Sequence, residues 1–234
     1  MRQFPLSGAI WNRSARSRSA VVRAVCNKLF TEYGLPRLGN PTDPLDDLIF
    51  IILSNRTSAS AASHTFKKLK ARFSTWDSAV ISSAAVLRRM LQPIGLSKVR
   101  SSQIRAALIQ IRRDFGRYDL SSLRSLTTSE AEAYLQSLPG VSAKVAKCVT
   151  LYTLDAQVLP VDAHVHRVAW RLGWVKRKRA DQCHEELEAI VPPALRHAFH
   201  VDCIAHGRAV CRAVGPSCES CCIRRYCDYF QDGK

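Results

Sequence analysis

The stretch Leu138-Pro139-Gly140-Val141-Ser142-Ala143-Lys144 decides how this chain is read. Pro139 and Gly140 interrupt any helix, and helical patterns lie on both sides of them. One segment ends near Ser137. The next runs from about Ala143 to Leu154, with Val145, Cys148, Val149 and Tyr152 at i, i+3, i+4 and i+7. A corner this tight leaves backbone N–H groups at the start of the second helix without carbonyl partners. Together with the helix dipole, those groups make a ready phosphate site.

Outward from the corner the helical period persists. Ser97 precedes a long segment, Lys98 to Phe115, with Ile104, Leu108 and Ile111 on one face. Val165, Val168, Ala169 and Leu172 repeat in the same way. No run alternates as a strand would, so the expected fold class is all-α. Gly34–Pro44 and Asp155–Pro160 read as connectors. They predict a middle block of helices over 42–156. Residues 21–41 and 157–234 then form a second domain, and 1–20 form a loose basic tail. The longest apolar run, Leu48 to Leu53, falls far short of the roughly 18–20 residues of a membrane helix. It reads as a buried segment, and no membrane partner is expected.

The charge balance narrows the partner. Among 234 residues, 35 are Lys or Arg and 19 are Asp or Glu, a net charge of +16. Such an excess points to a polyanion, most often nucleic acid. Residues 1–31 carry Arg2, Arg13, Arg16, Arg18, Arg23 and Lys28 and no acid. This start reads either as a tail adding salt-dependent attraction to DNA or as an organelle transit peptide. Further basic groups lie at Lys98, Arg100, Arg105, Arg112, Arg113 and Arg117 and at Lys176 to Arg179. In this setting the 138–144 corner is the helix–hairpin–helix device, which grips a DNA backbone without reading bases.

Hydrophobic residues make up 47% of the chain, enough for a core without disulfide staples. The nine cysteines are odd in number, and five of them fall within residues 211–227. With no export signal, a metal or cluster site fits better than a disulfide framework. Cys211, Cys218, Cys221 and Cys227 follow the pattern C-x6-C-x2-C-x5-C. Four thiolates in one short segment can close on zinc or on an iron–sulfur cluster, and spacing alone does not separate the two. Cys222, adjacent to a ligand, points away from the centre.

Two further residues stand out. Pro160-Val161-Asp162 precedes the Ala163–Leu172 helix, so Asp162 is a natural N-cap. Lys144 sits on the first turn after the hairpin. Capping and a solvated surface position account for both by themselves. A coupled role is the other reading. A neutral lysine amine is a nucleophile able to form a Schiff base, and a nearby carboxylate can orient it or stabilise a cationic sugar. His164 and His166 lie about 200° apart around one helix, which suits packing better than joint metal ligation.

The hairpin, the Val161-Asp162-Ala163-His164 segment and the cysteine quartet, in this order, resemble endonuclease III of the helix–hairpin–helix DNA glycosylases. The resemblance runs over about residues 22–230 and includes the stretch from His200-Val201-Asp202-Cys203 to His206-Gly207-Arg208. It implies two helical domains, one a helical barrel carrying the hairpin and the other a [4Fe–4S] domain, with a DNA groove between them. It implies removal of damaged, oxidised pyrimidines from duplex DNA in base excision repair, with associated β-elimination at the abasic site. The catalytic pair is then Lys144 and Asp162, eighteen positions apart. The backbone of Gly140, Val141 and Ser142 holds a phosphate, and the Asn55-Arg56 segment meets the gap left by the flipped base.

This chain departs from the family pattern where Ser142 replaces a second glycine, Arg56 a glutamine and Ala59 an aspartate, and the segment between Cys211 and Cys218, with only Arg212, is less basic than in the family. Glycine's φ freedom is lost at 142, and Arg56 offers a planar, donating wedge in place of an amide. Two other functions stay open. One is a monofunctional mismatch glycosylase removing uracil or thymine opposite guanine. The other is a non-catalytic iron–sulfur protein that binds DNA or senses redox state. The partner is double-stranded DNA with a damaged or mismatched base, bound by a monomer. The expected location is the bacterial cytoplasm or nucleoid, or an organelle or nucleus in a eukaryote.

Overall fold

The computed structural model describes residues 15–233, and among them every regular element is helical. In chain order these are α1 (Ala15–Tyr33), α2 (Pro44–Ser54), α3 (Ala59–Arg72), α4 (Trp76–Ile81), α5 (Ala84–Met90), α6 (Ser97–Phe115), α7 (Thr128–Ser137), α8 (Ala143–Thr153), α9 (Ala163–Arg171), α10 (His184–Ile190), α11 (Arg196–Ala209) and α12 (Asp228–Gln231). Short 3-10 turns join several of them. Residues 15–20, read from sequence as part of a tail, are the opening turns of α1. The Val21, Val22 and Val25 stripe that follows is buried and anchors that helix. Residues 1–14 of the expected tail lie outside the described residues. No described helix is long and apolar enough to cross a membrane.

The chain divides into two compact units, one spanning Leu38–Ala156 and the other combining the N-terminal residues to Arg37 with Gln157 onward. In the 38–156 unit, α2 is the central helix. Leu48, Ile49, Phe50, Ile51, Ile52 and Leu53 are all buried, as is Leu45, so beyond its first turn the helix is buried on every side. Each such side chain contributes roughly 1.5–3 kcal/mol by leaving water. α2 packs against both α3 and α8. Its start is set by Asp43, whose side chain accepts from the backbone N–H groups of Leu45 and Asp46, with Pro44 in the first turn. Asp46 then accepts from Lys70 Nζ at 2.9 Å and from Trp76 Nε1 at 2.7 Å, fastening α3 and α4 to α2. α7 starts with a capping box between Thr127 and Glu130.

The other unit is built on α1, α9 and α11. Val25, Leu29, Val165, Phe199 and Cys203 meet in its core, and Trp174 stacks on Phe199 with ring centroids 5.5 Å apart. Cys26, Cys183 and Cys203 are buried apolar side chains of this core.

Candidate active site and cysteine centre

The hairpin begins as α7 ends at Ser137, and α8 opens at Ala143. Gly140 has φ +81°, and a Cβ there would lie 2.5 Å from the Gln103 side chain. Both facts require glycine. Ser142 lies at φ −86° and ψ 166°, ordinary extended backbone that any residue adopts. The loss of glycine at 142 therefore costs no strain, and the hydroxyl gains a use as N-cap, accepting from Val145 N at 3.4 Å. Within the expected phosphate cradle one donor is already engaged: Val141 N–H donates to Leu138 O at 3.1 Å, and the Val141 side chain is buried. Donors for a phosphate must come from the N–H groups around Ser142 and the first turn of α8, where no helix carbonyl is in reach.

Lys144 is half-buried in that first turn. In the same unit its charge acts on Asp47, a carboxylate fully buried on α2. Burial pushes the Asp47 carboxyl up to about 8, against the opposing pull of its Asn40 hydrogen bond and of Lys144. Asn40 Nδ2 donates to Asp47 Oδ1 at 2.6 Å. Asp162 belongs to the other unit. It caps α9, its Oδ1 accepting from His164 N at 2.9 Å and Val165 N at 2.8 Å.

Asn55 and Arg56 form the turn after α2. Asn55 caps the helix, its N–H donating to Ile51 O at 3.2 Å. Arg56 is exposed, at φ +54°. A second left-handed residue, Leu96 at φ +51°, caps α6 and is 56% exposed. Arg100 joins the two turns. The sequence offered it as a surface charge, yet it is buried. Its Nη1 donates to Ile94 O at 2.5 Å and Gly95 O at 2.9 Å. Its Nη2 donates to Asn55 O and, at 2.9 Å, to Thr57 Oγ1. Sequence reading missed this role, because a basic residue at a helix start carries no mark of what it bonds to. Arg105 is also committed in part, donating to Ser82 O at 3.0 Å.

Cys211, Cys218, Cys221 and Cys227 line one small cavity, together with Val210, Pro216, Tyr229, Phe230 and the cationic side chains Arg171 and Arg224. Cys222 is not among the lining residues; it lies near Lys28 and Glu32 of α1. As the side chains stand, no three His, Cys, Asp or Glu groups among the described residues are set to hold a metal ion. His166 Nε2 bonds to Arg177 O at 2.9 Å, whereas His164 Nδ1 meets Arg167 Nη2 at 3.0 Å. The two histidines therefore serve different neighbours.

This helical architecture, with its Gly140 hairpin, defines the class. The chain belongs to the HhH-GPD superfamily of base excision DNA repair proteins, whose signature covers residues 49–193. Within it, the chain is endonuclease III-like. It is 28% identical to endonuclease III of Thermotoga maritima over 197 residues, spanning 84% of this chain and 88% of that one. Endonuclease III of Rickettsia conorii is 30% identical over 184 residues, covering 78% and 83% of the two chains. The fold matches that of a non-covalent endonuclease III–DNA complex with a TM-score of 0.80 at 22% identity, over 92% of this chain and 97% of that one.

Proposed function

We propose that this protein is a bifunctional DNA glycosylase and abasic-site lyase acting on damaged pyrimidines in duplex DNA. The observation that carries the reading is the place of Lys144: half-buried on the first turn of α8, directly after a hairpin whose glycine is required by its backbone. A phosphate held at that helix start brings a deoxyribose within reach of the amine. The exposed tips at Arg56 and Leu96, held together by Arg100, protrude as wedges suited to unstacking a base.

In the reaction, the Lys144 amine attacks C1′ and the base departs with the electrons of the glycosidic bond. Asp162, as carboxylate, stabilises the cationic sugar and accepts the proton released from the amine. The sugar ring then opens: the C1′–O4′ bond breaks, O4′ takes a proton, and the nitrogen lone pair forms the imine, which acidifies the C2′ hydrogen so that β-elimination breaks the C3′–O bond and the phosphate leaves. Cys211, Cys218, Cys221 and Cys227 offer four soft sulfur donors with a cationic surround, which fits an anionic [4Fe–4S]–thiolate centre. That centre would staple the C-terminal segment, which has little apolar content of its own.

Borohydride trapping on duplexes bearing thymine glycol, uracil or an abasic site tests the reading. The wild-type chain should form a covalent adduct, and Lys144→Ala should form none while still binding the duplex. Adduct formation by Lys144→Ala at the wild-type level would remove the lysine mechanism.

A further inference from the structure

One concavity in the 38–156 unit plays no part in that chemistry. It is an open groove of about 660 Å³ between α5 and α6. Ala84, Ala85 and Ala106 line it with small apolar surface, and half-exposed Ile109 stands at one end. Arg88, Arg89, Lys98 and Arg105 supply four positive charges, and no acid is among its lining residues. Along α6 the face continues through Val99, Ser102, Ala106 and Ile109, one side of the helix by its 3.6-residue period. Val99 is 52% and Ile109 49% exposed. From Lys98 to Ile109 the trough extends about 16 Å, the length of three helical turns.

We propose that this groove docks an acidic amphipathic helix of a partner protein. The groove's charge demands acidic groups along one side of the occupant, and its alanine lining demands apolar side chains along another. An amphipathic helix meets both demands. Duplex DNA meets only the first, because a phosphate backbone gains nothing from Ala84, Ala85, Ala106 and Ile109. Residues 1–14 contain Arg2 and Arg13 and no acid. The acidic helix α10 buries Leu187 in its own core, so its apolar side is taken. An exposed apolar strip flanked by charge of one sign is the usual mark of a protein-binding surface.

Fluorescence anisotropy with the full-length protein tests this. The probe is a labelled peptide of about twelve residues, alternating Glu and Leu at helical spacing to match the groove length. A scrambled peptide of identical composition and an undamaged duplex are the comparators. The patterned peptide should bind about tenfold or more tightly than the scrambled one, a difference of about 1.4 kcal/mol. Ala106→Trp, which fills the trough, and Ile109→Glu, at a half-exposed position, should each weaken peptide binding about tenfold. Both should leave duplex affinity within about twofold of wild type, as phosphate contacts elsewhere set that term. Equal binding of the scrambled peptide would overturn the proposal. So would peptide binding that survives Ile109→Glu, or displacement of the peptide by the duplex, which would assign the groove to DNA. Self-association lost in either variant would assign it instead to a second copy of the chain.

Discussion

Arg171 Nη1 donates to Cys211 Sγ at 3.1 Å, and the same residue's carbonyl oxygen accepts from Cys227 Sγ at 3.3 Å. One buried arginine at the end of α9 thus touches the first and last cysteines of the quartet. It also donates to Arg212 O at 2.9 Å and lies over the Tyr229 ring at 4.6 Å. A cation in this place offsets the negative charge that thiolate ligands bring. Arg171→Ala should cost about 2–4 kcal/mol through carbonyls left unpaired and lost packing. With the quartet holding the proposed iron–sulfur cluster, iron content per chain should fall by about half or more. Calorimetry and iron analysis of the purified variant check this; a variant with full iron and an unchanged melting temperature would contradict it.

Arg100 is the second such residue. It holds the Asn55–Thr57 turn and the Ile94–Leu96 turn together through four acceptors. Arg100→Ala should destabilise the fold by about 2–3 kcal/mol, because buried carbonyls lose their donors. Arg100→Lys should recover part of the stability and leave the two turns loosely joined, since lysine lacks the planar fork. The expected kinetic result for Arg100→Lys is a lower rate of base removal on normal duplex and near-normal cleavage at a pre-formed abasic site, where no base must be unstacked. Parallel assays on the two substrates distinguish this from a general loss of folding.

Asp47 makes stability depend on pH. Its carboxyl is near 3.8 in the unfolded chain and about 8 in the folded one, so the folded state holds the proton more tightly. The stability associated with it is fully present below about pH 4 and is lost as pH rises through about 8. Asp47→Asn keeps an acceptor for Asn40 and removes the titration. Relative to wild type the variant should gain about 3–4 kcal/mol between pH 5 and pH 8. Thermal melts at the two pH values decide it; a difference independent of pH would show that Asp47 does not titrate there.

Gly140 and Ser142 separate two uses of glycine in one hairpin. Gly140→Ala should cost about 1–2 kcal/mol from its positive φ alone. Gln103→Ala, which clears the nearest side chain, should recover only the remaining steric part. Ser142→Gly should change stability by a few tenths of a kcal/mol, the usual difference between these caps. Gly140→Ala should also weaken duplex binding, by moving the N–H groups at the α8 start. A double-mutant cycle on melting and on DNA affinity reads all three.

Much of the helical layout was legible because its causes are local. Pro139-Gly140 ends one helix and the 3.6-residue period of Val145, Cys148 and Val149 announces the next, and α7 and α8 end and begin at Ser137 and Ala143. Asp162 before an apolar period marks a cap, and the carboxylate does cap α9. The basic groups were less legible. Arg100 looks like any other positive residue in a net charge of +16, and only contact with Asn55, forty-five positions away, makes it a buried tie. The serine at 142 looked like a disturbed hairpin because sequence carries no φ.

Sequence by itself determined the helical class, the corner and the crowding of four thiols into one short segment, since each follows from neighbours a few positions apart. Only the tertiary structure decided that Arg171 and Arg100 leave the surface, that Asp47 is sealed from water, and that an uncovered alanine-lined trough lies between α5 and α6. Those outcomes depend on which distant segments pack together, and burial, desolvation and hydrogen-bond partnership exist only after they have done so.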